Sequence, residues 1–188
     1  MLEIDYSKYY WKNDIIKLRP HIENDWEYCV KNMFDSENRM LFQTEIEMPT
    51  DIERYKKRFI ESDDKDLGFI CFAIENNEGR HVGLANLFGM NERHGTFGPI
   101  GIFIDVGEQG KGYGTAAYRM LGNYMFKERR MNKWNSDYIE GNAGSAALHK
   151  KIGFEIEGVR KDIYYINGKY WGSVMVGITA EQFFKNNK

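Results

Sequence analysis

Cysteine is scarce in this chain: two residues, Cys29 and Cys71, among 188. Both sit in apolar stretches, "WEYCV" and "GFICFAI", so buried free thiols are expected and a disulfide-stapled scaffold is excluded. Proline is nearly as rare, three in all, and no low-complexity linker or internal repeat divides the chain. No segment approaches the roughly 20 apolar residues of a membrane span. The opening stretch Met1–Trp11 is polar and aromatic rather than the apolar run of a secretory leader. Charge of one sign is lacking too. The 26 Lys and Arg against 28 Asp and Glu give a net charge of −2, which speaks against nucleic acid or a membrane surface as the main partner. These absences leave a soluble, cytoplasmic protein forming one domain over residues 1–188, long enough to bury a sizeable core.

What is present reads as an α+β order around one mixed sheet. "DIIKLRP" alternates and stops at proline, as a short strand does. Trp26, Cys29, Val30, Met33 and Phe34 recur at helical spacing. "PTDIERYKKRFI" starts a second helix, with Thr50 and Glu53 in capping-box spacing and Ile52, Tyr55, Phe59 and Ile60 as its apolar face. Then the period changes: "LGFICFAIE", the turn "NNEGR" and "HVGLANLFGM" form a hairpin, and "HGTFGPIGIFID" reads as one further strand. A helix of about four turns carries Ala116, Ala117, Met120, Leu121, Tyr124 and Met125. "KWNSDYI" is a strand. "NAGSAALHKKIG" is a helix with Asn142 as N-cap and Gly153 as its stop. A last hairpin turns at Asn167-Gly168, and Thr179 with Gln182 caps a short final helix.

Glycine is concentrated where it is least useful to a helix. "FIDVGEQGKGYGTAAYRM" places Gly107, Gly110, Gly112 and Gly114 just ahead of a helical pattern. A tight turn needs one or two such residues. A Walker loop fails, because Gly112 follows Lys111 where Ser or Thr is required. The dinucleotide spacing is met by Gly112, Gly114 and Ala117, but that fold begins with alternating strands and helices, and here an antiparallel meander precedes the loop. The remaining reading is a pyrophosphate cradle of another kind. Bare backbone N–H groups, the positive end of a helix starting near Tyr113 and the charge of Lys111 all favour an anion.

"QGKGYG" resembles the Q/R-x-x-G-x-G/A acyl-CoA loop of the GNAT N-acetyltransferases. "GNAGSAALHKKIGFEIEG" is similar to that family's N-x-x-S/A…GF segment, with Asn142, Ser145, Gly153 and Phe154 in place. The ending "EGVRKDIYYINGKYW" and the opening "IKLRP" resemble the RimJ/RimL and spermidine-acetyltransferase branch. The resemblance runs over about residues 15–178.

It implies a mixed, mostly antiparallel central sheet with helices on both faces and a splayed strand pair holding acyl-CoA. Backbone groups of Ile102, Phe103 and Ile104 would hold pantetheine, and Gln109, Gly110, Lys111, Gly112, Tyr113, Gly114 and Thr115 the pyrophosphate. Asn142 would contact the cofactor arm, with Ser145 one turn further. Lys150 and Lys151 would meet the phosphate end, or form a solvated helix face. The implied reaction is acetyl transfer from acetyl-CoA, without a metal, to a primary amine: a protein or peptide N-terminus, an amino sugar or a polyamine. The alternative is an acyl-CoA-binding module without efficient turnover. Family members are often homodimers.

Two departures matter. Where many relatives place a tyrosine acid, this chain has His149, which either donates the proton or packs. Where some place a strand glutamate as base, this chain has Pro99, and Glu92 is the nearest candidate. A weak base suits an amine of low pKa. An acidic stretch holding Glu45, Glu47, Asp51 and Glu53 instead suits a polyamine, with Glu45 as the substrate-side candidate.

Overall fold

The computed structural model describes residues 4–43, 48–61 and 70–187. Two four-stranded sheets meet edge to edge. The first has the order β1 (Ile16–Arg19), β2 (Ile70–Asn76), β3 (His81–Leu87), β5 (Ile100–Ile104), all antiparallel. The second has the order β4 (Thr96–Phe97), β6 (Lys133–Ile139), β8 (Lys169–Thr179), β7 (Glu155–Ile166). Its β4–β6 pair is parallel and the rest antiparallel. The stretch read from sequence as one strand is therefore two, β4 and β5, lying in different sheets.

The break falls at Gly98-Pro99. Gly98 has φ +106°, and a Cβ there would overlap Asn135 O and lie 2.8 Å from Trp134 Cδ1. Only glycine lets β4 pass this close to β6. Beyond that point β5 turns to β3 and β6 turns to β8.

Alternation along the strands builds the core. Ile16, Leu18, Ile74, Ala85, Leu87 and Ile100 point to one face of the first sheet, and Trp134, Val176 and Ile178 to the same face of the second. Helix α4 (Tyr113–Asn123) covers that face with Ala117, Tyr118 and Leu121. It runs on as a π-helical turn, Tyr124–Glu128. Helix α5 (Ala143–Ile152) and the final α6 (Ala180–Asn186) add Ile152 and Phe183. The opposite face carries α1 (Trp26–Met33), α2 (Ser36–Gln43) and α3 (Ile52–Glu61). Helix α2 lies in a segment that sequence reading left without a helix. Arg19 anchors this layer: its guanidinium donates to Asp25 at 2.7 and 3.0 Å and to Glu75 at 2.7 Å.

The caps on α5 and α6 are as read. Asn142 Oδ1 accepts from Ser145 N–H at 3.0 Å, Gly153 closes α5 at φ +102°, and Thr179 and Gln182 form a capping box. At α3, Asp51 rather than Thr50 meets the amide of Glu53, at 3.3 Å. Phe34, expected on the buried face of α1, caps that helix and is 69% exposed. Among the described residues no helix is long and apolar enough to cross a membrane.

Candidate active site

The two sheets form a fork, closed at Phe97–Trp134 and open beyond it. Backbone directions inside the fork follow from strand alternation. Asp105 N–H donates to Val82 O at 3.0 Å, and Pro99 O accepts from Phe88 N–H at 3.2 Å. The backbone groups of Gly101 and Phe103 therefore also face β3, and those of Ile100, Ile102 and Ile104 face the gap. On the other tine, Glu140 N–H donates to Gly172 O at 2.8 Å and Lys133 N–H to Gly95 O at 3.0 Å. So Asn135, Asp137 and Ile139 turn their backbone groups toward the gap.

Three of these gap-facing carbonyls are already occupied. Ile100 O accepts from Tyr118 Oη–H at 2.8 Å, Ile104 O from Gln109 Nε2–H at 3.1 Å, and Ile139 O from Asn142 N–H at 2.9 Å. Among the described residues the N–H and C=O of Ile102 and of Asp137 have no strand partner on that side. Unpaired strand edges are rare inside a fold, because each polar group left without a partner costs free energy. Such a slot fits a ligand that pairs as an extra strand. The expectation for Phe103 changes: its backbone is committed to β3, and its side chain is buried on the far face.

The glycine loop borders the open end. Gly110 and Gly112 have φ +77° and +89°, and a Cβ on either would meet nothing within 4 Å. The space beside them is open. Gly112 is the N-cap of α4 and no side chain among the described residues caps the helix, so the amides of Tyr113, Gly114 and Thr115 are the orphan donors of its first turn. This is the geometry that takes an anion. Lys111 is less available than its position implies, since its Nζ lies 2.8 Å from Glu108, whose carboxyl the lysine holds below its ordinary range. Lys150 and Lys151 are exposed in the last turn of α5, where they favour the helix dipole.

His149 does not line open space. It is 3% exposed, in ring contact with Tyr118, Tyr138 and Phe154. Its Nδ1 lies 2.8 Å from Ser145 O, a pure acceptor, so Nδ1 carries the hydrogen. Nε2 is then the acceptor, 2.9 Å from Ser136 Oγ. Burial pushes its pKa down, against smaller upward pulls from the Ser145 carbonyl and Asp137. Burial likewise raises the Tyr118 phenol. Both ring nitrogens are engaged inside the core, and burial favours the neutral ring.

Glu92 is also displaced. It lies on the turn between Asn91 and Thr96, beyond the closed end of the fork, 71% exposed and paired with Arg129. Glu45 and Glu47 fall outside the described residues.

The carboxylate that does border the fork is Asp137, on β6. Its side chain stands on the face away from α4 and α5 and accepts from Ser173 Oγ–H at 2.6 Å. It helps line a cleft of about 250 Å³ with Gly98, Pro99, Arg160, Ser173 and Met175. Sequence reading passed over Asp137, Arg160 and Ser173 because their faces depend on the pairing of three strands. For Ser136 and Tyr118 a signal existed: Trp134, Ser136 and Tyr138 alternate inward, and a polar group on an inward position needs a buried partner. No group of three or more His, Cys, Asp or Glu among the described residues is placed to hold a metal.

Comparison with known proteins agrees with this architecture. The family model described as "Acetyltransferase (GNAT) domain" matches residues 16–155. "SPbeta prophage-derived uncharacterized N-acetyltransferase YokL" of Bacillus subtilis is 31% identical over 121 residues, 63% of this chain and 65% of that protein. "Probable N-acetyltransferase YjcK" of the same organism is 28% identical over 165 residues, 84% of this chain and 90% of its own. Among solved structures, one titled "Crystal structure of Probable acetyltransferase" superposes with a TM-score of 0.78 at 26% identity, covering 90% of this chain and 96% of that one. The chain belongs to the GNAT family and is an N-acetyltransferase.

Proposed function

We propose that the chain moves an acetyl group from acetyl-CoA to a primary amine by direct attack in a ternary complex. The observation that carries this is the fork: an unpaired strand edge at Ile102 running toward an uncapped helix N-terminus at Tyr113–Thr115. The backbone groups of Ile102 and Ile104 N–H pair with pantetheine. The loop Gln109–Gly112 and the amides of Tyr113, Gly114 and Thr115 hold the pyrophosphate. Asn142 and Ser145 fix the start of α5 at the mouth of the fork.

The amine arrives from the cleft on the opposite face. Its nitrogen forms a bond to the acetyl carbon, the C–S bond breaks, and CoA leaves as thiolate. A lysine-like amine of pKa near 10.4 must lose a proton first, about 4.6 kcal/mol at pH 7. Asp137 takes that proton, directly or through one water. The departing thiol has a pKa near 8.5, so leaving unprotonated at pH 7 costs only about 2 kcal/mol. An acid in the position of His149 is then dispensable. Its role is to brace Ser136 and the first turn of α5 from inside the core.

Titration with acetyl-CoA, followed by free-thiol release with a panel of amines, tests the reading. Saturable binding with amine-dependent thiol release supports it. Binding without release from any amine leaves the acyl-CoA-binding module. No saturable binding by the folded chain overturns both.

A further inference from the structure

The cleft beside the fork holds charges of both signs, and the protein leaves two of them uncompensated. Glu157 is spoken for by Lys133, 2.6 Å away. Asp137 receives one hydrogen bond, from Ser173, and no cation among the described residues pairs with it. Arg160 has neither an ion pair nor a side-chain hydrogen bond among the described residues, yet it lines the same cleft. Register puts the two on one face. Asp137 pairs with Met175 and Arg160 with Ser173, so β8 lies between them. Two interstrand steps and a two-residue offset along β8 separate their backbones by about 12 Å.

A free carboxylate and a free guanidinium held apart in one cleft match a ligand that carries both opposite charges. We infer that the acceptor is a zwitterionic primary amine, an amino-acid-like molecule with a carboxylate a few bonds from its nitrogen. This rests on the amine-acceptor reading above. The ammonium group meets Asp137, which also places it beside the base that must remove its proton. The carboxylate meets Arg160, whose planar fork donates to both carboxylate oxygens at once. Ser173 holds the Asp137 carboxylate so that its second oxygen is presented to the amine. A polyamine makes the first contact but places a further ammonium near Arg160, where like charges repel. A peptide N-terminus makes the first contact and offers Arg160 only neutral carbonyl groups.

The experiment compares matched acceptors with the purified chain and acetyl-CoA. Alanine, leucine, methionine and phenylalanine are each offered as the free acid, as the amide and as the decarboxylated amine, with spermidine alongside. Product is read by mass and by thiol release. The expected result is a kcat/KM for at least one free acid that exceeds its amide about tenfold or more, through KM. In Arg160→Gln that ratio collapses toward one. Preference for spermidine, or for the amides as a peptide N-terminus would give, overturns the zwitterion while leaving acetyl transfer standing. So does an equal loss on acid and amide in Arg160→Gln. No transfer to any amine of the panel overturns both the zwitterion and the transferase reading of this cleft.

Discussion

Lowering the pH from about 7.5 to about 5.5 acts on His149 in a direction fixed by its surroundings. The ring is 3% exposed, and burial pushes its pKa below the ordinary 6.5. About one pH unit above 6.5 the ring is almost wholly neutral in both folded and unfolded chains. As the pH falls past 6.5 the unfolded chain takes up a proton that the folded ring refuses, so stability is lost on the acid side. If the folded ring stays neutral throughout, the loss at pH 5.5 reaches a ceiling of about 1.4 kcal/mol. For a chain of this size that is about 3–6 °C in Tm. Urea unfolding at both pH values, on the native chain and on His149→Gln, isolates the effect. The variant keeps a donor for Ser145 O and an acceptor for Ser136 but cannot titrate, and His21, His81 and His94 cancel in the difference. The native chain should lose up to about 1.4 kcal/mol more than the variant. Equal losses, or a native chain that gains stability in acid, would refute the neutral, core-bound histidine and restore it as a proton donor.

Gly112→Asn should leave the fold in place, because asparagine tolerates a left-handed φ, while its side chain enters the open cradle. Acetyl-CoA affinity by calorimetry should weaken at least about tenfold with Tm nearly unchanged. An unchanged affinity would remove the loop from the site. Gly98→Ala puts a methyl group onto Asn135 O at φ +106°. It should cost about 1–3 kcal/mol from backbone strain alone, read as a lower urea midpoint. Native-like stability would mean that the strands do not close the fork there. Asp137→Asn should lower kcat/KM for amines by about 10²- to 10⁴-fold with acetyl-CoA affinity retained. A change under threefold would clear Asp137 of the proton-removal role.

The parts of the fold that follow local rules were legible in the sequence. Asn142 and Gly153 bound α5 because side-chain and left-handed caps are set by neighbouring residues. The Asn167-Gly168 turn fixed the last hairpin for the same reason. The glycine loop was legible because bare backbone ahead of a helix has few other uses. What was hidden depended on distant partners. Thr96 to Ile104 reads as one strand by its apolar pattern, and only the close approach of Asn135 O to Gly98 divides it between two sheets. His149 aligned with a catalytic position by spacing, but Tyr118, Ser136 and Phe154 from three other segments decide that it faces inward. Asp137 and Arg160 are ordinary surface charges until β8 is placed between them.

Amide hydrogen exchange with and without saturating acetyl-CoA tests the fork most directly. Phe103 N–H already pairs with β3 and serves as the internal control. Slower exchange at Ile102, Ile104, Tyr113, Gly114 and Thr115 on adding acetyl-CoA, with Phe103 unchanged, is the expected result. Saturable binding with unchanged exchange at these five amides contradicts the fork as the acetyl-CoA site.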